Sequence, residues 1–272
     1  MIRLHLVVEG QTEETFVRDV LAPELGRHSI AADVHRITTG RRRDRSFRGG
    51  FVSYDHLRND LALWMKQDRR EDAWFSTMVD LYRMPPDFPG WERSRRISDP
   101  MERVTFLERE FLSAIEHRRF LPYIQLHEFE ALLFADPGKF LVSFPGAQRE
   151  VAELDAIRRG APTPEHIDDG EDSAPSKRVC ALIPDYAKPA NGPVIAAAIR
   201  PAHAQTRVPA FRKVVRTAPW SRLSPSDGLP LLPSEEVRSA VQDRRAPRLR
   251  YCGGPIWSRW IESGNFSRAS RG

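Results

Sequence analysis

Acidic side chains follow three of the predicted strands, each at the point where the strand ends. Glu9 comes directly after the first strand and Asp80 closes the third, while Glu128 and Glu130 follow the fourth. Because the carboxyl ends of parallel strands meet at one edge of a sheet, these carboxylates are expected to lie close together. One carboxylate after a strand is often a helix cap, but several at one edge repel each other unless a cation neutralises them. Carboxylate oxygens suit Mg²⁺ or Mn²⁺, so all four acids are predicted metal ligands.

Short apolar segments alternate with amphipathic ones over the first 145 residues. This alternation predicts an α/β fold in which a parallel four-stranded sheet is flanked by helices. Thr12 is the expected cap of the first helix, and Pro122 is tolerated near the start of the fourth strand. The predicted strands are residues 2–8, 31–38, 73–79 and 120–126, and the predicted helices cover 53–69 and 100–118 and begin near 12 and 127.

The net charge of the 272-residue chain, +5, is concentrated in its C-terminal fifth. Residues 221–272 contain nine arginines, no lysine and five acidic residues, so the remainder is almost neutral. Serine, proline and glycine are also abundant there and no hydrophobic period is sustained, which predicts a poorly ordered tail. The sequence before it, 146–220, is predicted to be mostly helical, with breaks at prolines and at an acidic loop. We therefore predict an α/β domain at 1–145, a helical extension packed on it at 146–220, and a tail at 221–272.

An arginine-rich loop follows the second predicted strand and ends in two glycines. A solvated loop without a specific partner is one interpretation. The other is a loop that contacts the phosphates of a nucleic acid near the same edge of the sheet, with binding that weakens steeply as salt rises. The candidate nucleic-acid-binding residues are Arg41, Arg42, Arg43, Arg45 and Arg48.

Several classes of protein are excluded by what the sequence lacks. No run approaches the roughly 18 apolar residues of a membrane-spanning helix, and charge interrupts the N-terminal segment too early for a signal peptide. The two cysteines, Cys180 and Cys252, exclude a disulfide scaffold and a cysteine-based zinc ribbon. There is no phosphate-binding loop of the ATPases, no nucleophile elbow and no His-Glu-x-x-His helix. We therefore expect a cytoplasmic protein, not attached to a membrane, that does not itself hydrolyse ATP.

Four blocks of sequence, in a fixed order, resemble a bacterial family. Residues 8–13, Val-Glu-Gly-Gln-Thr-Glu, are similar to the opening of Toprim domains of the type found in OLD-family nucleases. The other blocks are residues 76–82, 87–90 and 127–134, with later marks at 176–178 and 192–193. Together they resemble stand-alone Toprim-like proteins, once catalogued only as a domain of unknown function, which often accompany a separate ATPase in phage-defence gene clusters. The similarity spans residues 1–220 and implies a Toprim-like sheet of four parallel strands.

The resemblance assigns a place to each acid. Glu9 stands as the acid of the first motif and Asp80 as the first acid of the usual Asp-x-Asp, whereas Tyr82 stands where the second aspartate would be. Glu128 or Glu130 is expected to supply the missing oxygen. A single metal ion, or none, is the alternative.

The resemblance also implies how the reaction would proceed. In Toprim enzymes of this kind the metals hold the scissile phosphate and activate a water molecule. Glu9 or Glu13 would then act as general base, and Lys177 would stabilise the developing phosphate charge. An acid in the first turn of a helix is also a usual partner of the helix dipole, and a lone lysine is usually a surface charge.

The sequence thus predicts a metal-dependent phosphodiesterase that cuts DNA or RNA, as the effector of an anti-phage defence system with a separately encoded ATPase. The alternative is a catalytically impaired Toprim-like subunit that binds its ATPase or nucleic acid, in which Tyr82 marks the loss of the metal site. Nucleotidyl transfer, as in Toprim primases, is supported by the shared fold alone. The oligomeric state is open, with a homodimer as one alternative.

Overall fold

A computed structural model describes residues 1–38, 53–167 and 173–199, with the backbone alone at Arg83. All of these residues belong to one compact unit, Met1–Ala218. The arginine-rich loop and the predicted tail lie outside the described residues, and the boundaries proposed at 145 and 220 stay predictions.

A parallel sheet forms the centre of the unit. Its strand order is β2-β1-β3-β4, with β5 also beside β3, and every pair of neighbouring strands is parallel. The strands are β1 (Ile2–Val8), β2 (Ile30–Arg36), β3 (Ala73–Asp80), β4 (Phe120–Leu121) and β5 (Ile124–Gln125). The predicted α/β class, a parallel sheet flanked by helices, is confirmed.

Helices connect the strands and form the C-terminal part of the described chain. The first two are joined by a π-helical turn, Val17–Leu21, and α9 packs against α1 and α6. The helices are α1 (Gln11–Phe16), α2 (Ala22–Gly26), α3 (Tyr54–Gln67), α4 (Trp91–Ser94), α5 (Pro100–Ile115), α6 (Glu130–Leu133), α7 (Gln148–Arg159), α8 (Pro175–Leu182) and α9 (Lys188–Ile199). Short 3-10 turns occur at Leu81–Arg83, Pro137–Val142 and Pro164–His166. Among the described helices, none is long and apolar enough to cross a membrane.

The main hydrophobic core lies between the sheet and two long helices. Every residue of β3 is buried, as expected for a central parallel strand covered on both faces. Leu57 of α3 and Phe111 of α5 pack in one cluster with Phe75 of β3 and Phe120 of β4. The predicted helices at 53–69 and 100–118 are therefore present, because their apolar stripes cover this face of the sheet.

The prediction that Thr12 caps the first helix is wrong. Gly10 occupies the N-cap position in an extended conformation, and no side chain caps this end. Thr12 lies inside α1 and is buried, since α9 approaches it closely at Gly192.

The fourth strand is interrupted, whereas the sequence predicted one continuous strand over 120–126. Pro122 has no N–H to donate, so the ladder of backbone hydrogen bonds beside β3 breaks after Leu121. The side chain of Thr77 fills the gap: its Oγ1 donates to the Tyr123 carbonyl at 3.0 Å and accepts from the Tyr123 N–H at 3.1 Å. Ser76 Oγ donates to the Leu121 carbonyl at 2.7 Å. Two hydroxyl groups thus replace the missing ladder.

A Thr77→Val substitution tests this replacement. The side chain keeps its shape, but the buried N–H and carbonyl of Tyr123 lose their partner, at a cost of about 1–3 kcal/mol. Urea unfolding should show that loss, with an unchanged dependence on denaturant. Thr105→Val is the matched control, since Thr105 Oγ1 only donates to the Met101 carbonyl within α5; it should cost less than about 0.5 kcal/mol. Equal losses in the two variants would contradict the role given to Thr77.

Candidate cation pocket

The ends of β1 and β3 bring two predicted acids together. The Glu9 N–H donates to the Met78 carbonyl at 3.2 Å, so Glu9 continues along β3 beyond the end of its own strand. Its Oε2 accepts a hydrogen bond from the Asp80 N–H at 3.2 Å. Glu9 is half-buried and Asp80 is buried. The Glu9 carboxylate thus lies against the backbone of Asp80 at the carboxyl end of β3.

A third acid, Glu13, turns back toward this edge from α1. It is 3% exposed, which is unusual for a carboxylate in a first helical turn. A Cβ atom placed on Gly10 would lie 3.1 Å from Glu13 Oε2, so any larger residue at position 10 would crowd the carboxylate. Glycine at position 10 therefore makes room for the buried side chain of Glu13.

The buried carboxylates meet at an ammonium group that the sequence analysis did not select. Lys188 Nζ lies 3.5 Å from Glu13 Oε1, 3.4 Å from Asp80 Oδ2 and 3.3 Å from Glu130 Oε2. The three acidic side chains are 4%, 9% and 0% exposed, whereas that of Lys188 is 33% exposed. We call Glu13, Asp80, Glu130 and Lys188 the cation pocket.

The sequence gives only a weak indication that Lys188 pairs with acidic residues. It is the first residue of α9, where a positive charge faces the positive end of the helix dipole. Such a residue is expected to have a carboxylate partner elsewhere in the fold, although the sequence does not say which. Asp80, one of its partners, lies 108 positions away in the sequence.

Glu128 lies beside the cation pocket and binds a different element. Its Oε2 accepts a hydrogen bond from the Ser176 N–H in the first turn of α8, at 3.0 Å. Its charge nevertheless raises the pKa of Lys188 and that of Glu130. Lys177, the next residue of α8, is exposed at this end of the helix.

The turn before α6 separates Glu128 from Glu130. His127 has a left-handed backbone, with φ of 64°, and its carbonyl accepts a hydrogen bond from the Tyr82 N–H. The regular part of α6 consequently begins at Glu130 and not at His127, where the sequence predicted it. Tyr186 lies on the far side of Glu130, with its hydroxyl 3.3 Å from Glu130 Oε1.

The pocket contains more negative than positive charge. Burial raises the pKa of Asp80 well above its ordinary value; Lys188 acts against this shift, and Glu9, Glu13 and Glu130 add to it. Burial likewise raises the pKa of Glu130, again against the attraction of Lys188. For Lys188, burial lowers the pKa, but Asp80, Glu130 and Glu13 raise it by more, so the ammonium stays charged. Three carboxyl groups share one ammonium, so ionisation of all three would leave the pocket negatively charged.

The donor atoms of the pocket are of the chemical type that a hard divalent cation prefers. Three carboxylates converge, and Asp80 Oδ1 is buried with no hydrogen-bond partner among the described residues. Oxygen ligands of this kind suit Mg²⁺ or Mn²⁺. Within the described ranges, however, no three His, Cys, Asp or Glu side chains stand in a ready metal-binding arrangement. The ammonium of Lys188 lies between the carboxylates of Glu13, Asp80 and Glu130.

Asp68, at the end of α3, offers a contrast to Asp80. His5 Nε2 lies 3.0 Å from Asp68 Oδ2, and the Arg70 guanidinium also contacts the carboxylate. Burial raises the pKa of Asp68, but the hydrogen bonds from His5 and Arg70 outweigh it and lower the pKa to about 2. Asp68 is thus held in its charged form, whereas the surroundings of Asp80 disfavour charge.

Asp80→Asn and Asp68→Asn should have opposite effects on the free energy of unfolding. The raised pKa of Asp80 means that its charge costs stability at pH 8, so Asp80→Asn should add about 1 kcal/mol there. That gain should vanish below about pH 3, where the carboxyl is mostly protonated in both the folded and the unfolded chain. The lowered pKa of Asp68 has the reverse sign: Asp68→Asn should cost about 1–2 kcal/mol at pH 8, and the loss should fade as the pH approaches 2. Urea unfolding of both variants and the wild type, measured between pH 8 and pH 2, tests these expectations. Destabilisation by both variants at pH 8 would contradict the account.

Comparison with known proteins gives a family and one related structure. No curated protein matches the chain. A solved structure, the C-terminal region of the Xanthomonas campestris pv. campestris OLD protein, is similar at 16% identity with a TM-score of 0.32; the match covers 79% of this chain and 96% of that one. The model of the family described as domain of unknown function (DUF4276) matches residues 8–217. The chain therefore belongs to the DUF4276 family.

Proposed function

We propose that this protein is a metal-dependent phosphodiesterase with a Toprim-like catalytic domain that cuts nucleic acid. The observation that carries the proposal is the cation pocket, in which Glu13, Asp80 and Glu130 direct buried oxygens to one point at the carboxyl end of the sheet. An excess of buried negative charge is expensive unless a cation offsets it. The sequence resemblance to Toprim domains, carried by residues 8–13 and the later blocks, supports the same reading.

Asp80, Glu130 and Glu13 are the residues that would hold Mg²⁺ or Mn²⁺. When bound, such an ion polarises a phosphate and makes a bound water more acidic. Glu128, which lies beside the pocket, would act on it through charge, because its carboxylate holds the first turn of α8. This division of roles modifies the predicted ligand set of Glu9, Asp80, Glu128 and Glu130.

Glu9 is the better general base of the two predicted acids. Glu13 is almost fully buried and lies against Lys188, so it has little room to meet a substrate. Glu9 is half-buried, and the Asp80 N–H fixes one of its carboxylate oxygens at the strand end. It would accept a proton from the attacking water. The exposed Lys177, at the start of α8, would contact the phosphate.

Nucleic acid is the proposed substrate, DNA or RNA, with Arg41, Arg42, Arg43, Arg45 and Arg48 as its phosphate contacts. The resemblance to Toprim-like proteins of phage-defence clusters also supports a cytoplasmic effector that works with a separately encoded ATPase. A homodimer is an alternative assembly.

The competing proposal is a regulatory subunit without catalysis. Two observations favour it: Lys188 takes the position of a cation, and Tyr82 stands where the resemblance places a second aspartate. The two proposals differ in one measurable property, because the regulatory subunit needs no divalent ion.

Nuclease assays with purified protein separate the proposals. With Mn²⁺ or Mg²⁺ the protein should nick plasmid DNA or cleave tRNA, and a chelator should abolish the activity. Glu9→Ala and Asp80→Asn should each lower the rate by at least about 100-fold. Glu153→Gln is the matched control, since Glu153 is exposed on α7 and pairs with Arg149; its rate should be unchanged.

Two results would contradict the assignment. Cleavage that survives Glu9→Ala would refute the role of Glu9. An inactive protein that binds no Mn²⁺ in calorimetry, yet co-purifies with an ATPase, would support the regulatory subunit instead.

A further inference from the structure

We propose that Lys188 is the built-in counter-ion of the cation pocket, and that its ammonium and a divalent cation compete for the same oxygens of Glu13, Asp80 and Glu130. This inference rests on the metal site of the proposed function and adds a residue that controls it.

The position of Lys188 destabilises α9, the helix to which it belongs. It is the first residue of α9, where the helix dipole repels a positive charge. Its three ion pairs with buried carboxylates offset this cost. The charge of Lys188 is therefore favourable for the pocket and unfavourable for α9.

The backbone of α9, one turn after Lys188, is closely packed against residues that adjoin the pocket. A Cβ atom added to Gly192 of α9 would lie 3.0 Å from Phe129 Cε1 and 3.2 Å from the Tyr186 hydroxyl. α9 is thus packed closely against Phe129 and Tyr186, and its start is further fixed by a 2.8 Å hydrogen bond from the Ala187 N–H to Asn191 Oδ1. A change in the position of the ammonium would therefore come from the flexible side chain of Lys188 and not from the backbone of α9.

Only one of the four pocket groups reaches solvent to a substantial degree. The side chain of Lys188 is 33% exposed, whereas those of Glu13, Asp80 and Glu130 are all below 10%. A lysine has a flexible four-carbon stem, so it can leave a site without a change in the backbone. A second cation that enters the pocket would consequently displace the ammonium and leave the carboxylates in place.

Simultaneous occupancy is unfavourable for reasons of distance and charge. The ammonium lies 3.3–3.5 Å from its three oxygens, whereas Mg²⁺ takes oxygen ligands at about 2.0–2.1 Å. An ion bound to the same oxygens would therefore lie close to the ammonium, and the two positive charges would repel each other. Asp80 Oδ1, which is buried and has no hydrogen-bond partner among the residues that the structure describes, would give the divalent ion an oxygen that Lys188 does not contact.

Mn²⁺ affinity, measured by calorimetry on the full chain, tests the competition. Lys188→Met removes the charge and keeps most of the length of the side chain, so it should tighten Mn²⁺ binding by about tenfold. Lys139→Met is the matched control, because the ammonium of Lys139 also pairs with a carboxylate, that of Asp136 at 3.9 Å, and its side chain is somewhat more exposed than that of Lys188. The Lys139→Met protein should bind Mn²⁺ with the affinity of the wild type. The melting temperature of Lys188→Met should also be lower without metal and should rise more with Mn²⁺ than that of the wild type.

A second measurement needs no variant and covers the case in which Lys188→Met fails to fold. Acylation of lysines in the wild-type protein, quantified by mass spectrometry, should proceed several times faster at Lys188 when Mn²⁺ is present, with no change at Lys139. Mn²⁺ binding that is equal in wild type and Lys188→Met, or a Lys188 reactivity that Mn²⁺ leaves unchanged, would overturn the competition and leave the proposed function standing. No Mn²⁺ binding by any of the proteins would refute the proposed function itself.

Discussion

Buried negative charge is the constraint around which the functional edge of this protein is arranged. Three carboxylates, those of Glu13, Asp80 and Glu130, are removed from water and share one ammonium. Burial of charged carboxylates is costly, and well-packed apolar residues of similar size are often at least as stable in such positions. The proposed metal site follows from this arrangement. The account of function given above depends on this imbalance.

The scaffold supports the pocket through backbone geometry and small residues. Parallel pairing of β1 with β3 places the ends of both strands at one edge, and the hydroxyl of Thr77 holds the interrupted fourth strand beside β3. Gly10 and Gly192 allow Glu13 and α9 to approach closely. The pocket thus draws on residues from the first and the last described helices, and the helical C-terminal part completes the site that the sheet begins.

The local pattern of the sequence was enough for the sheet and for part of the site. The sequence correctly predicted that one strand ends at Val8 and another near Asp80. Both ends follow runs of apolar residues, and such runs are a local property of the sequence. The break at Pro122 was underestimated, since its repair depends on Thr77, a partner from another strand. Lys188 was missed for a similar reason: its position at the start of α9 has meaning only once the fold brings it to Asp80. A local sequence pattern does not predict which distant residues form an ion pair.

Diffraction from crystals of the protein grown with Mn²⁺, collected near the manganese absorption edge, tests the central claim most directly. The account predicts an anomalous peak bound by carboxylate oxygens of Asp80 and at least one of Glu13 and Glu130, with Lys188 Nζ moved away from them. A map without such a peak at saturating Mn²⁺, in which Lys188 still contacts all three carboxylates, would contradict it.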